Sequence, residues 1–550
     1  MNNAAFERLL KRRTSRRLTV ASGASGLIGL SFAGNPTKVY ARQSSADGTP
    51  DATPTSTLSQ PSAQFGAYPF QLGVASGDPL ANSVILWTRL APSPIDGGGM
   101  DPIPYDVSWE LATDEGFGTI VQSGTTSADP NLSHSIHLEV TGLDPATEYF
   151  YRFMVGSEVS QVGRTKTAPA IGQAVPSVRF GYASCSNYEH GYFVGYRAMA
   201  EQNLDVILHL GDYIYEYGPD EYHVREPENF RLHTGAETLA LRDYRNRFAL
   251  YRTDPDLQLA HASAPWVVTW DDHEVENNYA DLTSENNDSE TDFALRRADA
   301  YQAYYEHMPL RPSSMPVDPD LTLYRKLNFG DLLEFQVLDS RQYRTDQPAG
   351  DGEYPRSPAS IDPSTTLLGP DQERWLLQNL SASTATWNVM AQQILMAETY
   401  FPVTDGEAQG YYTDSWGGYP SARERILSHL LNNPIANPVI LTGDIHTAWA
   451  NDIKADWEDN ASRTIATEYV TTSITAGGTE PSNFGEAYRD VFSYIKYFDG
   501  RHGGFTVAEV TAESWKNDFY NVDNMEDFAS PVTLSATYIT EAGNPGAQEG

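Results

Sequence analysis

The stretch LDVILHLGDYIYEYG, Leu204–Gly218, is an apolar run of strand length that stops on Gly-Asp. The same grammar recurs along the chain. VRFGYASCSN (178–187) delivers Cys185 and Asn187, and PWVVTWDDHE (265–274) delivers Asp271, Asp272, His273 and Glu274. LLEFQVLDSR (332–341) ends in Asp339 and Arg341, TWNVMAQQ (386–393) in Gln392 and Gln393, and NPVILTGDIH (437–446) in Asp444 and His446. Between these runs lie stretches with helical apolar spacing, DYRNRFALYR (243–252) and FALRRADAYQAYYEHM (293–308). Strands alternating with helices predict an α/β architecture. In open α/β sheets the C-terminal strand ends form the ligand crevice. One Gly-Asp after a strand is a common turn; a series of strands all ending in polar, ligand-type residues points to one site.

The residue types carry the chemistry. Carboxylates, imidazole, a phenol and a thiol describe a metal site rather than a Ser-His-Asp triad. Oxygen-rich positions suit hard cations. Thiolate, phenolate and imidazole together suit a softer or trivalent transition metal, iron foremost. One carboxylate can bridge two ions, and two-metal sites clamp a phosphoryl group for in-line displacement. Cys185 is the single cysteine, so no internal disulfide exists. A lone cysteine is usually a small buried hydrophobe; among these strand ends a metal-ligand role explains it better.

The motifs GDYIYEYG, WDDHEVENN and GDIHTAW, with SCSN, LDSRQYR, LGPDQERWL and VMAQQ, resemble those of PhoD-type alkaline phosphatases and phosphodiesterases in the metallophosphatase superfamily. The resemblance runs from about Pro69 to the neighbourhood of Thr511. It implies a metallophosphatase-like β-sandwich flanked by helices, of α/β (α+β) class, preceded by a small all-β fibronectin- or immunoglobulin-like sandwich. It implies Fe(3+) with Ca(2+) alongside. SCSN stands where the superfamily opens with Asp-x-His, so Cys185 is expected on the iron, with Asp212 bridging and with Tyr215 and His446 as further iron ligands. Asp444 and Asp272 are expected on the second metal, where Asp in place of His and Asn makes the site harder and favours calcium. His273 is expected to bind substrate or protonate the leaving oxygen, Gln393 or Gln392 to reach the second metal, Asn187 to touch metal or phosphate, and Arg341 to clamp phosphate bidentately. The implied activity is a secreted phosphoester hydrolase, an alkaline phosphatase that also takes diesters, with a metal-bound hydroxide or oxide attacking phosphorus in line. The alternatives are a phospholipase D-like or teichoic-acid phosphodiesterase and, from another class, an inactive calcium-binding surface protein.

Composition bounds these readings. The 550 residues carry a formal net charge of -36, which argues against nucleic acid as a partner and requires bound cations to receive a phosphate. Residues 1–41 read as a twin-arginine signal peptide, with Arg16-Arg17 before a short apolar run and Val39-Tyr40-Ala41 as cleavage site. The export machinery for such signals is the expected partner; no transmembrane anchor is expected, and the location is secreted, periplasmic or cell-surface. Residues 42–66 read as a disordered linker, 67–168 as the accessory β-sandwich, 178–511 as the catalytic domain and 512–550 as a C-terminal tail without a lid helix. His209 reads as a core histidine. His190, His223 and His233 lie in polar stretches, and DLTSENNDSETD (281–292) reads as a solvated loop.

Overall fold

The computed structural model describes residues 65–222, 231–348, 350–404, 408–477, 489 and 492–550. The expected signal peptide and nearly all of the expected linker lie outside them, as does His223. The chain folds as a mixed α/β protein, rich in sheet and with few helices.

In chain order the first strands are β1 (Val74–Leu80), β2 (Ser83–Arg89), β3 (Tyr105–Ala112), β4 (Ile120–Ala128), β5 (Ser135–Thr141), β6 (Glu148–Val155), β7 (Glu158–Val159) and β8 (Gly163–Lys166). Next come β9 (Val178–Ala183), helix α1 (Val194–Ala200), β10 (Val206–Leu210), α2 (Leu241–Arg252), α3 (Pro255–Ser263), β11 (Pro265–Thr269) and α4 (Glu290–His307). Then follow β12 (Arg325–Phe329), β13 (Leu333–Val337), β14 (Glu353–Pro355), α5 (Gly369–Ala382), β15 (Trp387–Ala391), β16 (Phe401–Thr404), β17 (Ala408–Tyr412) and α6 (Pro420–Asn432). The last are β18 (Pro438–Thr442), β19 (Ala448–Lys454), β20 (Thr464–Val470), β21 (Ile495–Asp499), β22 (Gly503–Val510), β23 (Ser514–Val522), β24 (Val532–Glu541) and β25 (Asn544–Glu549).

Two large sheets face each other. One has the order β25-β24-β23-β22-β9-β10-β11-β1-β2-β5, the other β12-β13-β15-β18-β20-β19-β21. Their inner faces meet through Phe180, Val206, Leu208 and Leu210 on one side and Phe335, Val389, Leu441 and Tyr469 on the other. The outer faces are covered by helices: Ile207 and Trp266 pack with Tyr196, Phe248 and Tyr304, and Met390 and Ile440 pack with Leu376, Leu380 and Ile426. Strands buried on both faces must be apolar at every position. That is why β10, β11, β15 and β18 read as nearly continuous apolar runs, interrupted inside only by His209 and Asn388. His209 keeps this rule by stacking on Trp266 and holding the Tyr196 hydroxyl at 2.9 Å, a core histidine as read.

The pairings show how the expected regions join. Strands β3, β4, β6, β7 and β8 form their own sheet. It packs on β1, β2 and β5 through Val74, Val84, Leu86, Val107, Leu111 and Phe153. Yet β1 also pairs in parallel with β11, Ser76 opposite Pro265 and Gly77 opposite Trp266. Three strands of the region 67–168 therefore also extend the ten-stranded sheet. An open strand edge needs backbone partners, and β11 supplies them. The region 512–550 joins the sheet as well. β23, β24 and β25 pair in succession beside β22. Trp515 is fully buried against Phe180 and Trp387 at ring separations of 5.4 and 5.8 Å. The boundary at 511 had cut a hairpin whose second strand supplies core. Among the described residues no helix is long and apolar enough to cross a membrane.

Candidate metal centre

Parallel pairing of β9, β10 and β11 brings their C-terminal ends together, and β18 ends at the same place from the facing sheet. The turn carrying Cys185 is tied to the turn carrying Asp212: Cys185 N donates to Gly211 O at 3.1 Å and Ser186 N to Asp212 O at 2.9 Å. Glu274 ties the next pair, its carboxylate accepting from the amides of Asp212, Tyr213 and Asp271. Glycine is required before two of the aspartates. A Cβ at Gly211 would lie 2.5 Å from Asp271 Cβ, and one at Gly443 would lie 2.6 Å from Ser184 Oγ. Cys185, Asp212, Asp444 and His446 all adopt positive φ, between 55° and 60°. Strain of this kind at non-glycine residues costs of order 1–3 kcal/mol each and gathers at functional sites.

The donors converge in three overlapping groups, the ligand atoms of each lying within 4.8 Å of one another: Cys185, Asp212 and His446; Asp212, Asp272 and His273; Asp271, Asp272 and Asp444. Tyr215 joins the first, its hydroxyl 3.1 Å from Asp212 Oδ2 and 3.2 Å from His446 Nε2. The side chains expected on iron thus stand together, and Asp212 is shared with the carboxylate set. Cys185 and Tyr215 are buried, whereas Asp444 and His446 are only half-buried.

The electrostatics call for cations. Buried carboxylate oxygens of Asp212, Asp271 and Asp272 have no hydrogen-bond partner, a costly state unless positive charge is supplied. Burial and the Asp212 charge push the Cys185 thiol well up. Burial, with Asp272 and Glu274, raises Asp212 although His273 opposes it; burial, with Asp272, raises Asp271 against the pull of Arg341. Burial pushes Glu274 up to about 7. Asp272 goes the other way: burial would raise it, but Arg341 and His273 together hold it well below the ordinary range. A sulfur, oxygen and nitrogen donor set beside an all-oxygen set fits a two-cation centre.

His273 is buried, with its ring 4.2 Å from that of Tyr215. Its Nδ1 stands 2.7 Å from Glu216 Oε2, and Glu216 Oε1 accepts from Asn277 N. Burial works against its charge, but Glu216, Asp272 and Asp212 hold its pKa well above the ordinary value. Asn187 spends its Oδ1 on Glu189 N, and its buried Nδ2 has no partner. That leaves a donor, which suits an anion and not a metal.

Two assigned roles do not survive. Arg341 is fully buried and committed: Nε donates to Asp271 Oδ1, Nη1 pairs with Asp414, and Nη2 lies 3.6 Å from Asp272. No two-pronged fork remains for a phosphate, and Arg341 acts on the site by placing carboxylates. Gln393 accepts from Ser340 and donates to Thr269 and Leu338 O, so its oxygen is held away from a metal role. Gln392 is likewise held by Ile394, Thr442 and Trp416. His190 and His233 bond to backbone carbonyls of Tyr222 and Tyr217. In the 281–292 stretch, Ser289 caps α4 and Asp281 pairs with Arg297. Sequence reasoning missed Glu216 and Asp414 altogether, and left Asp271 and Glu274 without roles; only Asp414 lies outside the quoted motifs.

The PhoD-like phosphatase family matches residues 180–519, and the family's N-terminal domain matches 55–169. The chain is 48% identical over 487 residues to alkaline phosphatase D of Bacillus subtilis (strain 168), covering 88% of this chain and 83% of that protein. A solved structure of PhoD superposes with a TM-score of 0.86 at 48% identity, over 88% of this chain and 93% of that one. By sequence match and by fold, this chain belongs to the PhoD-like phosphatase family.

Proposed function

We propose that this chain is an exported, metal-dependent phosphoester hydrolase of the alkaline phosphatase type. The observation that carries the reading is the crowd of carboxylates at the strand ends of a chain from a phosphatase family, with one buried oxygen each of Asp212, Asp271 and Asp272 left without a hydrogen bond. Cys185, Asp212, Tyr215 and His446 would hold Fe(3+); Asp271, Asp272 and Asp444, with Asp212 shared, would hold Ca(2+). Such a pair supplies water activation at neutral pH and neutralises charge on phosphoryl oxygens. His273, its Nδ1 tied to Glu216, presents Nε2 to give a proton to the leaving oxygen. Asn187 Nδ2 donates to a phosphoryl oxygen. Tyr215 and Tyr217 wall the imidazole and exclude water. Export by the twin-arginine route fits Arg16-Arg17, and residues 67–168 fit a fibronectin-like accessory role. Acceptance of phosphodiesters as well fits the same two-cation centre, since mono- and diesters are cleaved by the same in-line displacement.

The test is turnover of p-nitrophenyl phosphate and bis-p-nitrophenyl phosphate by mature protein, with elemental analysis and a visible spectrum of the same sample. Iron, calcium, a visible band altered by Cys185→Ser, and turnover of both esters are expected. An active, colourless zinc or manganese protein would overturn the Cys185–Tyr215 iron assignment; calcium without turnover would overturn the enzyme.

A further inference from the structure

Cys185 and His446 stand in one donor group but come from different sheets, Cys185 from the turn after β9 and His446 from the turn after β18. Residues 471–477 (TTSITAG), outside every motif singled out in the sequence, join the two. They leave the facing sheet after β20, where Thr471 N donates to Thr442 O at 2.9 Å, and reach the end of β9, where Ser473 bridges in parallel to Ser184. From there they are tied to the Cys185 turn step by step. Ile474 N donates to Ser184 O at 3.0 Å, Ala476 N to Cys185 O at 3.0 Å, and the Thr475 hydroxyl to Asn187 O at 2.7 Å. The last tie is His190, whose Nδ1 accepts from Gly477 N at 3.2 Å.

The same residues hold His446 at two points. The Thr472 hydroxyl reaches His446 O at 3.2 Å and His502 O at 2.8 Å. Gly477 lies against the imidazole: a Cβ there would stand 2.7 Å from His446 Nδ1 and 3.2 Å from its Cγ, and φ is 90°. Close approach and backbone angle both call for glycine. With its Nδ1 side backed in this way, the ring presents Nε2 3.2 Å from the Tyr215 hydroxyl. His190 is itself fixed. It is fully buried, its Nδ1 accepts and so carries no hydrogen, and its Nε2 carries one, toward Tyr222 O at 2.9 Å. The mechanism uses no proton of this imidazole. What it supplies is an acceptor for the amide of the residue that backs His446.

We infer, on the metal reading proposed above for this donor group, that His190 is a positioning residue: through Gly477 it locks residues 471–477, and these set the separation and orientation of the Cys185 thiol and the His446 imidazole. Two ligands on facing sheets keep their spacing only as well as the sheets keep theirs. A segment tied to both turns makes that spacing local. Cutting the tie at His190 leaves the Gly477 amide without an acceptor and lets the backing of the His446 ring shift. Partners that orient a metal-binding histidine are worth about 10–100-fold in metal affinity.

The experiment compares His190→Asn with His190→Gln in mature protein loaded with iron and calcium. The Asn variant carries an oxygen near the place of Nδ1 and still accepts from Gly477 N. The Gln variant carries its amide near the place of Nε2, keeps Tyr222 O as a partner and leaves Gly477 N with none. Iron retention against a chelator, the visible band and Tm are read on both. His190→Gln should hold iron about 10–100-fold more weakly than the parent and shift the band. His190→Asn should stay close to the parent in both, although the two variants lose Tm alike. Equal iron loss in both variants, in step with Tm, is the mark of a merely structural histidine and overturns the inference, as does parental retention in His190→Gln. Should either variant fail to fold, Thr475→Val keeps the side-chain shape and cuts the tie to Asn187. It should lower iron retention severalfold, and parental retention in it overturns the inference. The parent judges the metal reading separately. If it holds zinc or manganese in place of iron, the iron assignment falls, and the order of the Asn variant above the Gln variant is read on the metal it holds; if it holds none, both fall.

Discussion

Glu216→Gln tests how the acid is held. Glu216 is buried and serves two donors, His273 Nδ1 at 2.7 Å and Asn277 N at 2.9 Å. Glutamine has one acceptor oxygen for these two, so either Asn277 N loses its partner, at about 1–3 kcal/mol, or His273 Nδ1 faces an NH2 group and the imidazole is no longer fixed. The charge is lost in both cases. At about 4 Å between charge centres and an effective dielectric near 20, that interaction is worth about 4 kcal/mol, and its loss takes away the first of the charges that hold the His273 pKa up. The sign is fixed: a carboxylate raises the pKa of its neighbour, so its removal brings proton loss to lower pH. The alkaline limb of kcat/KM should move down. The loss should depend on the leaving group, because p-nitrophenolate departs without a proton and an alkoxide does not. General acid catalysis is worth roughly 10²–10⁴-fold; glycerol phosphate turnover should fall by about that factor, and p-nitrophenyl phosphate turnover by far less. Metal content should stay that of the parent. Equal losses for both esters, or an alkaline limb that stays in place, would refute the reasoning.

Asp212→Ala removes the carboxylate shared by two donor groups and should abolish retention of both metals, read by elemental analysis after gel filtration. Gly443→Ala places a Cβ 2.6 Å from Ser184 Oγ; it should cost about 1–3 kcal/mol by overpacking and lower metal affinity more than Tm, since it spreads the Cys185 and Asp444 turns. Trp515→Ala should cost about 3–5 kcal/mol in a denaturant melt, because Trp515 is fully buried core and not part of a tail. In metal-free protein the raised pKa values of Asp212 and Asp271 give stability that is full below the ordinary carboxylate range and lost as pH rises through those raised values. Its Tm should therefore fall over that window, and the metal-loaded protein, in which cations replace those protons, should not follow it.

Much of the site was legible because its residues sit where apolar runs stop. A strand buried on both faces leaves an unmistakable string such as VILHL, and the crevice lies at its C-terminal end. Cys185, Asp212, Tyr215, Asp272, Asp444 and His446 could be collected that way without knowing the order of the strands. What could not be read is which polar side chains at those ends are already spoken for. Arg341 and Gln393 occupy the same kind of position, but Asp414, far away in the chain and outside any motif, neutralises the first, and Thr269 from β11 engages the second. Such pairing depends on how the facing sheets meet, and strand patterns do not encode it. The same blindness hid the parallel pairing of β1 with β11 and the hairpin that continues past 511. The first joins strands far apart in the chain; the second is a local hairpin, Val510 opposite Trp515, whose place in the core shows only once the facing sheet covers Trp515.

The fate of Arg341 sharpens the reading of the whole centre. A chain with a net charge of -36 repels a phosphate dianion, and an arginine fork would have been one local remedy. Instead the guanidinium is consumed by Asp271, Asp272 and Asp414, and it serves to let acidic side chains stand closer together than they otherwise could. An arginine spent in that way makes sense only if the carboxylates are the means and not the end. On the proposed reading they gather negative charge to hold cations, and those cations take the place of an arginine fork toward the phosphoryl group. On that logic, neutralising Arg341 should damage metal retention before it damages affinity for substrate, the reverse of what a phosphate clamp would show. A titration of Arg341→Met with calcium, followed by KM at saturating metal, separates the two orders.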